Sequence, residues 1–201
     1  MNKFLYFFIT FTTVISAQQS YIDYQSPFHP TVSKYGMVVS QNHLSSDIGI
    51  QILNKGGNAV DAAVAVGFSL AVTLPRAGNL GGGGFMLVYL KEKDEIFYID
   101  YRSKSPLNSS IENIFDLAKS RNLKPQDFTN DMFDKTRYGY KAPAVPGTVA
   151  GLLEAHEKFG KLSLQEILEP VIKQAEEGIL VSYDLSKAIE DTKQLKFDSE
   201  S

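Results

Sequence analysis

The sequence predicts an α+β fold, and three observations carry that reading. Two segments around 44–55 and 58–74 have helical spacing or small-residue composition and stop at Gly56-Gly57 and Pro75. Two apolar runs, 85–90 and 95–101, flank the polar turn Lys91-Glu92-Lys93-Asp94, the pattern of an antiparallel β-hairpin. Helix-opening signals then recur at Pro146-Gly147-Thr148, Ser163 and Ser182. Helices around an antiparallel hairpin do not make a parallel, doubly wound sheet.

At the N-terminus, Lys3 precedes an apolar run over 4–15. Ser16 and Ala17 follow, then the polar Gln18-Gln19-Ser20. A charged start, a short apolar stretch and a small-residue exit form an export signal. Residues 1–17 are therefore expected to be removed, leaving 18–201 as the mature part. The apolar run is short of the roughly 20 residues a membrane-spanning helix needs, so no membrane attachment is expected after cleavage. An irregular stretch over 21–35 contains Pro27 and Pro30, and Met37, Val38 and Val39 read as a short strand.

Leu44, Ile48 and Ile52 recur every four residues, which gives a helix one apolar face. Glycine reaches the left-handed conformation a helix C-cap requires, so Gly56-Gly57 ends it. Asn58 caps a second helix, and Asp61 suits the positive end of its dipole. Residues 62–68 of that helix are small and apolar all round, the mark of a helix packed on several sides. Past the hairpin, 104–142 is polar and loop-rich, with a short helix near 114–120. The helix opening at Thr148 is expected to turn Leu152, Leu153, Ala155 and Phe159 inward and to stop at Gly160. Ser163 and Glu166 form a capping box, with Leu162 and Ile167 as its hydrophobic staple. Pro170 kinks that helix, Gly178 ends it, and Ser182 caps a last helix carrying Leu185 and Ile189. No closing element follows, so the chain reads as incomplete.

With 201 residues, 43% apolar and 21% charged, the composition is that of one globular domain. A net charge of −3 and 20 scattered Lys and Arg exclude a phosphate-tracking surface, so no nucleic-acid partner is expected. Cysteine is absent, which removes disulfides, thiol nucleophiles and zinc-thiolate sites. His29, His43 and His156 match no metal spacing. Asn108-Ser109-Ser110 fits the N-glycosylation pattern, relevant only in a host that glycosylates exported proteins.

The run Gly81-Gly82-Gly83-Gly84 is not followed by Lys-Ser or Lys-Thr and precedes a strand, not a helix. Both facts argue against a phosphate cradle; the run instead lets another backbone pass closely. Arg102 lies just past the second hairpin strand. A guanidinium there can grip a carboxylate through two parallel hydrogen bonds. The competing reading is a surface salt bridge, for instance to Asp100, and spacing alone favours it. No Gly-x-Ser-x-Gly nucleophile and no paired carboxylates are present.

Four landmarks in one order then carry a resemblance. They are 56–65 (GGNAVDAAVA), 78–87 (GNLGGGGFML), Asp100-Tyr101-Arg102 with Pro106, and 145–151 (VPGTVAG). In these the chain strongly resembles the γ-glutamyltransferase (glutathione hydrolase) family, from about residue 36 to 183. The resemblance implies an N-terminal-nucleophile hydrolase fold: an αββα sandwich of two antiparallel sheets between helical layers, incomplete here because the small-subunit half is missing. It implies a proenzyme that cuts itself into large and small subunits. The small subunit's new N-terminal threonine attacks the γ-glutamyl amide of a substrate such as glutathione. The acyl-enzyme passes its γ-glutamyl group to water, an amino acid or a peptide, with no metal or organic cofactor. Arg102 matches the family's arginine for the α-carboxylate of the substrate. The nucleophile and oxyanion glycines belong to the small subunit, and Thr148 and Thr192 lie in the wrong context. No catalytic residue is therefore expected in this chain, which alone should be inactive. Export places it in the periplasm or outside the cell. The alternatives are an inactive relative that still binds a γ-glutamyl or glutamate ligand, a decayed gene product, and a related acylase of the same superfamily.

Overall fold

The computed structural model describes residues 32–110 and 142–192. The chain divides after Tyr35, and every element lies in the unit that starts at Gly36. The export signal, the short helix near 114–120 and the chain end past 192 fall outside the described residues.

Helix α1, His43–Asn54, starts where the Asn42 side chain accepts the Leu44 N–H at 2.9 Å. It ends at Gly56, whose φ of +93° strains any residue with a Cβ. Its buried face is Ser45, Ile48, Gly49 and Ile52. Helix α2, Ala59–Thr73, opens on a full capping box. Asn58 Oδ1 accepts the N–H groups of Val60 and Asp61, and Asp61 accepts the N–H of Asn58, all at 2.9 Å. Leu74 is its C-cap, and Pro75 follows. The expectation of a centrally packed helix holds: Val64 and Ala65 are wholly buried, and α1 packs on α2.

Strands β1, Gly84–Leu90, and β2, Glu95–Tyr101, pair antiparallel with Gly84 opposite Tyr101 and Leu90 opposite Glu95. Period-two alternation splits the hairpin into two apolar faces. Val88 and Ile99 enter the core, with Met86, Leu90, Phe97 and Tyr101 packed against it. Phe85, Leu87, Tyr89, Ile96 and Tyr98 point the other way and are 56–72% exposed, Phe85 and Tyr98 stacked at 6.0 Å. A sheet apolar on both sides suits a sandwich whose second layer lies opposite the helices.

Helix α3, Thr148–Phe159, packs on α2 and on both strands, and α4, Leu164–Glu177, packs on α2 and α1. Helix α5, Tyr183–Thr192, follows, the Ser182 hydroxyl accepting the Leu185 N–H at 3.2 Å. Beneath α4 lies a buried hydroxyl network. Ser45 Oγ is 2.8 Å from both Ser69 Oγ and Thr73 Oγ1, and Ser69 donates to Gln174 Oε1 at 2.6 Å. Every buried side-chain polar atom of the described residues has a partner, so this network costs little desolvation.

Two local expectations are corrected. Residues 36–40 form no strand: a strand needs a partner for its backbone groups, and β1 and β2 pair only with each other. Val38 instead packs on the core, while Met37 and Val39 are exposed. Leu153 is 36% exposed because the inward stripe of α3 is Gly151, Leu152 and Ala155, and the next residue is turned about 100° away.

The Ser163 capping box forms, Glu166 Oε2 accepting the Ser163 N–H at 2.8 Å. Hydrogen bonds from the Ser163 hydroxyl and backbone hold the Glu166 carboxyl below its ordinary range. A depressed folded pKa adds stability above the ordinary range that is lost as pH falls through the folded value. Loss of the N-cap in Ser163→Ala should cost about 1 kcal/mol near neutral pH. The deficit should shrink in acid, as denaturant melts across pH would measure.

Candidate functional site

Arg102 follows directly on β2, at the open end of the hairpin. Its side chain is exposed. The surface pair with Asp100 does not form. Asp100 Oδ1 instead accepts the backbone N–H of Arg102 at 2.9 Å, and no carboxylate among the described residues forms an ion pair with the guanidinium. The turn to which Arg102 belongs is therefore held by its main chain, and its five N–H donors face no anionic partner among those residues.

Three segments distant in sequence meet at this backbone. Lys104 and Val145 exchange backbone hydrogen bonds of 3.1 and 2.8 Å. The carbonyl of Gly82 accepts the N–H groups of Gly147 and Thr148 at 2.8 and 3.2 Å, and Thr148 Oγ1 donates to Asn79 O at 3.4 Å. A Cβ at Gly83 would overlap Ser103 N and lie 2.6 Å from Tyr101 O and 2.9 Å from the Arg102 carbonyl carbon. The glycine run is thus a place where two backbones pass in contact. The N-cap and first-residue amides of α3 are engaged by the Gly82 carbonyl and do not point at an anion site.

Sequence reasoning singled out Arg102 but missed Tyr101. Burial raises the pKa of its phenol, and its hydroxyl donates to Phe85 O at 3.4 Å. The signal available was the spread of glycines through the landmarks, but spacing does not say what each glycine faces. Asp61, read only as a dipole partner, is wholly buried and also accepts the N–H groups of Lys161 and Leu162. A cleft of about 490 Å³ between the start of α2 and the hairpin has mainly apolar walls, including Ala63, Met86 and Val88, and does not include Arg102. Among the described residues no cluster of three or more His, Asp or Glu is arranged to hold a metal, and no helix is long and apolar enough to cross a membrane.

Comparison with known proteins agrees with these landmarks. The family model described as Gamma-glutamyltranspeptidase matches residues 45–201. The glutathione hydrolase proenzyme of Pseudomonas sp. (strain A14) is 40% identical over 152 residues, which cover 76% of this chain and 24% of that protein. The chain thus spans about a quarter of the length of such relatives. Acylase ACY 1 proenzyme of Pseudomonas sp. (strain SE83) is 38% identical over 169 residues, 84% of this chain and 29% of that protein. Among solved structures, the γ-glutamyltranspeptidase of Helicobacter pylori superposes with a TM-score of 0.70 at 38% identity, covering 83% of this chain and 44% of that one. The α+β, N-terminal-nucleophile hydrolase expectation therefore holds, and the chain belongs to the γ-glutamyltranspeptidase family.

Proposed function

We propose that this chain is the N-terminal part of the large subunit of an exported γ-glutamyltransferase, with residues 1–17 as its signal and 18–201 as its mature portion. In this reading Arg102 binds the α-carboxylate of a γ-glutamyl substrate such as glutathione. The threonine that forms the acyl-enzyme comes from a small subunit absent from these 201 residues. The observation that carries it is the convergence of 79–84, 101–104 and 145–148 on the turn presenting a guanidinium unpaired among the described residues. A carboxylate is the natural partner for that planar fork.

Thr148, at this turn, supplies no activated hydroxyl. Thr148 is internal, and its Oγ1 is directed to a backbone carbonyl, with no base beside it. The isolated polypeptide should therefore release no chromophore from a γ-glutamyl anilide. Expression joined to the remainder of a large subunit and to a threonine-bearing small subunit, giving an assembled two-subunit enzyme, should restore release. Turnover by the chain alone would refute this reading. The similarity to an acylase proenzyme keeps a second substrate class in view, an amide with another acyl group. Preference for γ-glutamyl over that amide in the same assay separates the two.

A further inference from the structure

We infer that Tyr101 is a positioning residue, clamped by glycines from two distant segments so that Arg102 is delivered in one geometry. This rests on the carboxylate-binding reading of Arg102 and adds what holds that residue in place.

Tyr101 is enclosed at both its ring and its backbone. On the β1 side, a Cβ at Gly84 would come within 2.8 Å of Cε2 and 3.1 Å of Cζ and Oη of the ring. On the α3 side, a Cβ at Gly151 would overlap Cβ, Cγ and Cδ1 of the same side chain, and one at Gly147 would overlap the Tyr101 carbonyl oxygen. Gly151 is buried in a helix interior. Helix propensity alone would favour alanine there. Glycine at 151 is thus explained by the ring lying against it and not by the helix that contains it.

The clamp bears on Arg102 through the main chain. The Tyr101 carbonyl belongs to the peptide that leads into Arg102, and Gly83 closes on that peptide and on the next one, between Arg102 and Ser103. The Asp100 carboxylate holds the Arg102 N–H from the strand side. With its backbone fixed on these sides, the guanidinium keeps only side-chain freedom, which lowers the entropy lost on binding a carboxylate. Pushing the Tyr101 ring off α3 shifts the origin of the Arg102 side chain, and a misplacement of about 1 Å can cost up to a hundredfold in a positioned interaction.

The test uses Gly151→Ala and Gly147→Ala in the assembled enzyme, with Tyr101→Phe as the conservative variant and Arg102→Lys as reference. The clamp predicts that KM for a γ-glutamyl anilide rises about tenfold or more in both glycine variants while kcat changes little. Tyr101→Phe, which keeps the ring, should match wild type. A purely structural role would instead lower the amount of active enzyme and leave KM alone. A wild-type KM in both glycine variants beside a raised KM in Arg102→Lys overturns the clamp and leaves the arginine reading standing. A raised KM in the glycine variants beside a wild-type KM in Arg102→Lys overturns the arginine reading, and the proposal with it. If the glycine variants do not assemble, hydrogen exchange on the 201-residue chain decides. Faster exchange at 101–103 with protection of α2 retained supports the clamp; wild-type protection at 101–103 overturns it.

Discussion

Arg102→Ala in the assembled enzyme is expected to lower kcat/KM for a γ-glutamyl anilide by about 30-fold to several thousandfold, the equivalent of about 2–5 kcal/mol, and Arg102→Lys should recover only part of that loss. Two effects set that range. Lysine keeps the charge but offers a compact ammonium in place of a planar fork, so a bidentate grip on the α-carboxylate becomes a single contact. The interaction also gains strength as the site closes. In the isolated chain Arg102 is exposed, and an exposed ion pair contributes only about 0–1 kcal/mol. On the proposed reading, substrate and small subunit together would remove that water, and the same pair would then act in a lower dielectric. Arg102→Lys should accordingly show little effect on the stability of the isolated chain. An Arg102→Lys enzyme with wild-type kcat/KM would rule the residue out as the carboxylate ligand.

The second large effect is expected at Asp61, and there the measured quantity is stability. Its carboxylate is wholly buried and accepts three backbone N–H groups. Asn58 donates at 2.9 Å, Lys161 at 3.0 Å and Leu162 at 3.3 Å. One side chain thus closes the capping box of α2 and fastens the turn between α3 and α4. Neighbouring bonds secure the same junction: Asn58 Nδ2 donates to Phe159 O at 2.6 Å, and His156 Nε2 lies 2.8 Å from Leu162 O. Asp61→Ala removes the acceptor and strands three donors, at an expected cost of about 2–4 kcal/mol. Asp61→Asn keeps one acceptor oxygen and should fall between alanine and wild type. The midpoint of urea denaturation measures both. A loss under about 1 kcal/mol for the alanine variant would show that water takes over the stranded amides.

The contrast between these residues shows which parts of the molecule are legible in its sequence. The start of α2 is legible because a capping box is a transaction among residues three apart. The hairpin is legible because its period-two pattern and its turn are local, and both strand limits agree with the expectation to within a residue. The strand expected at 37–39 fails because a strand is defined by its partner, and apolar composition names none. Asp61 was visible as an acid in a first helical turn, but Lys161 and Leu162 lie a hundred residues further on. The Ser45, Ser69, Thr73 and Gln174 network is hidden for the same reason, although Ser45 falls on the apolar side of α1, three residues before Ile48.

At the candidate site, spacing identifies an arginine at a strand end but does not choose between a surface pair and a ligand contact. What favours the ligand is the Asp100 carboxylate, which accepts the Arg102 backbone N–H and is paired with no guanidinium among the described residues. The exposed apolar face of the hairpin belongs to the same account. Phe85, Leu87, Tyr89, Ile96 and Tyr98 lie opposite the helices, where an αββα sandwich places its second sheet.

The most direct measurement removes the interaction from both sides. Wild-type and Arg102→Ala enzymes would each be assayed with a γ-glutamyl anilide and with its analogue lacking the α-carboxylate. If the guanidinium binds that group, deleting the carboxylate should sharply lower kcat/KM in the wild type and scarcely change it in the variant, the two losses being one interaction counted twice. Equal losses in both enzymes would mean that the carboxylate is held elsewhere, and the site assigned to Arg102 would be contradicted.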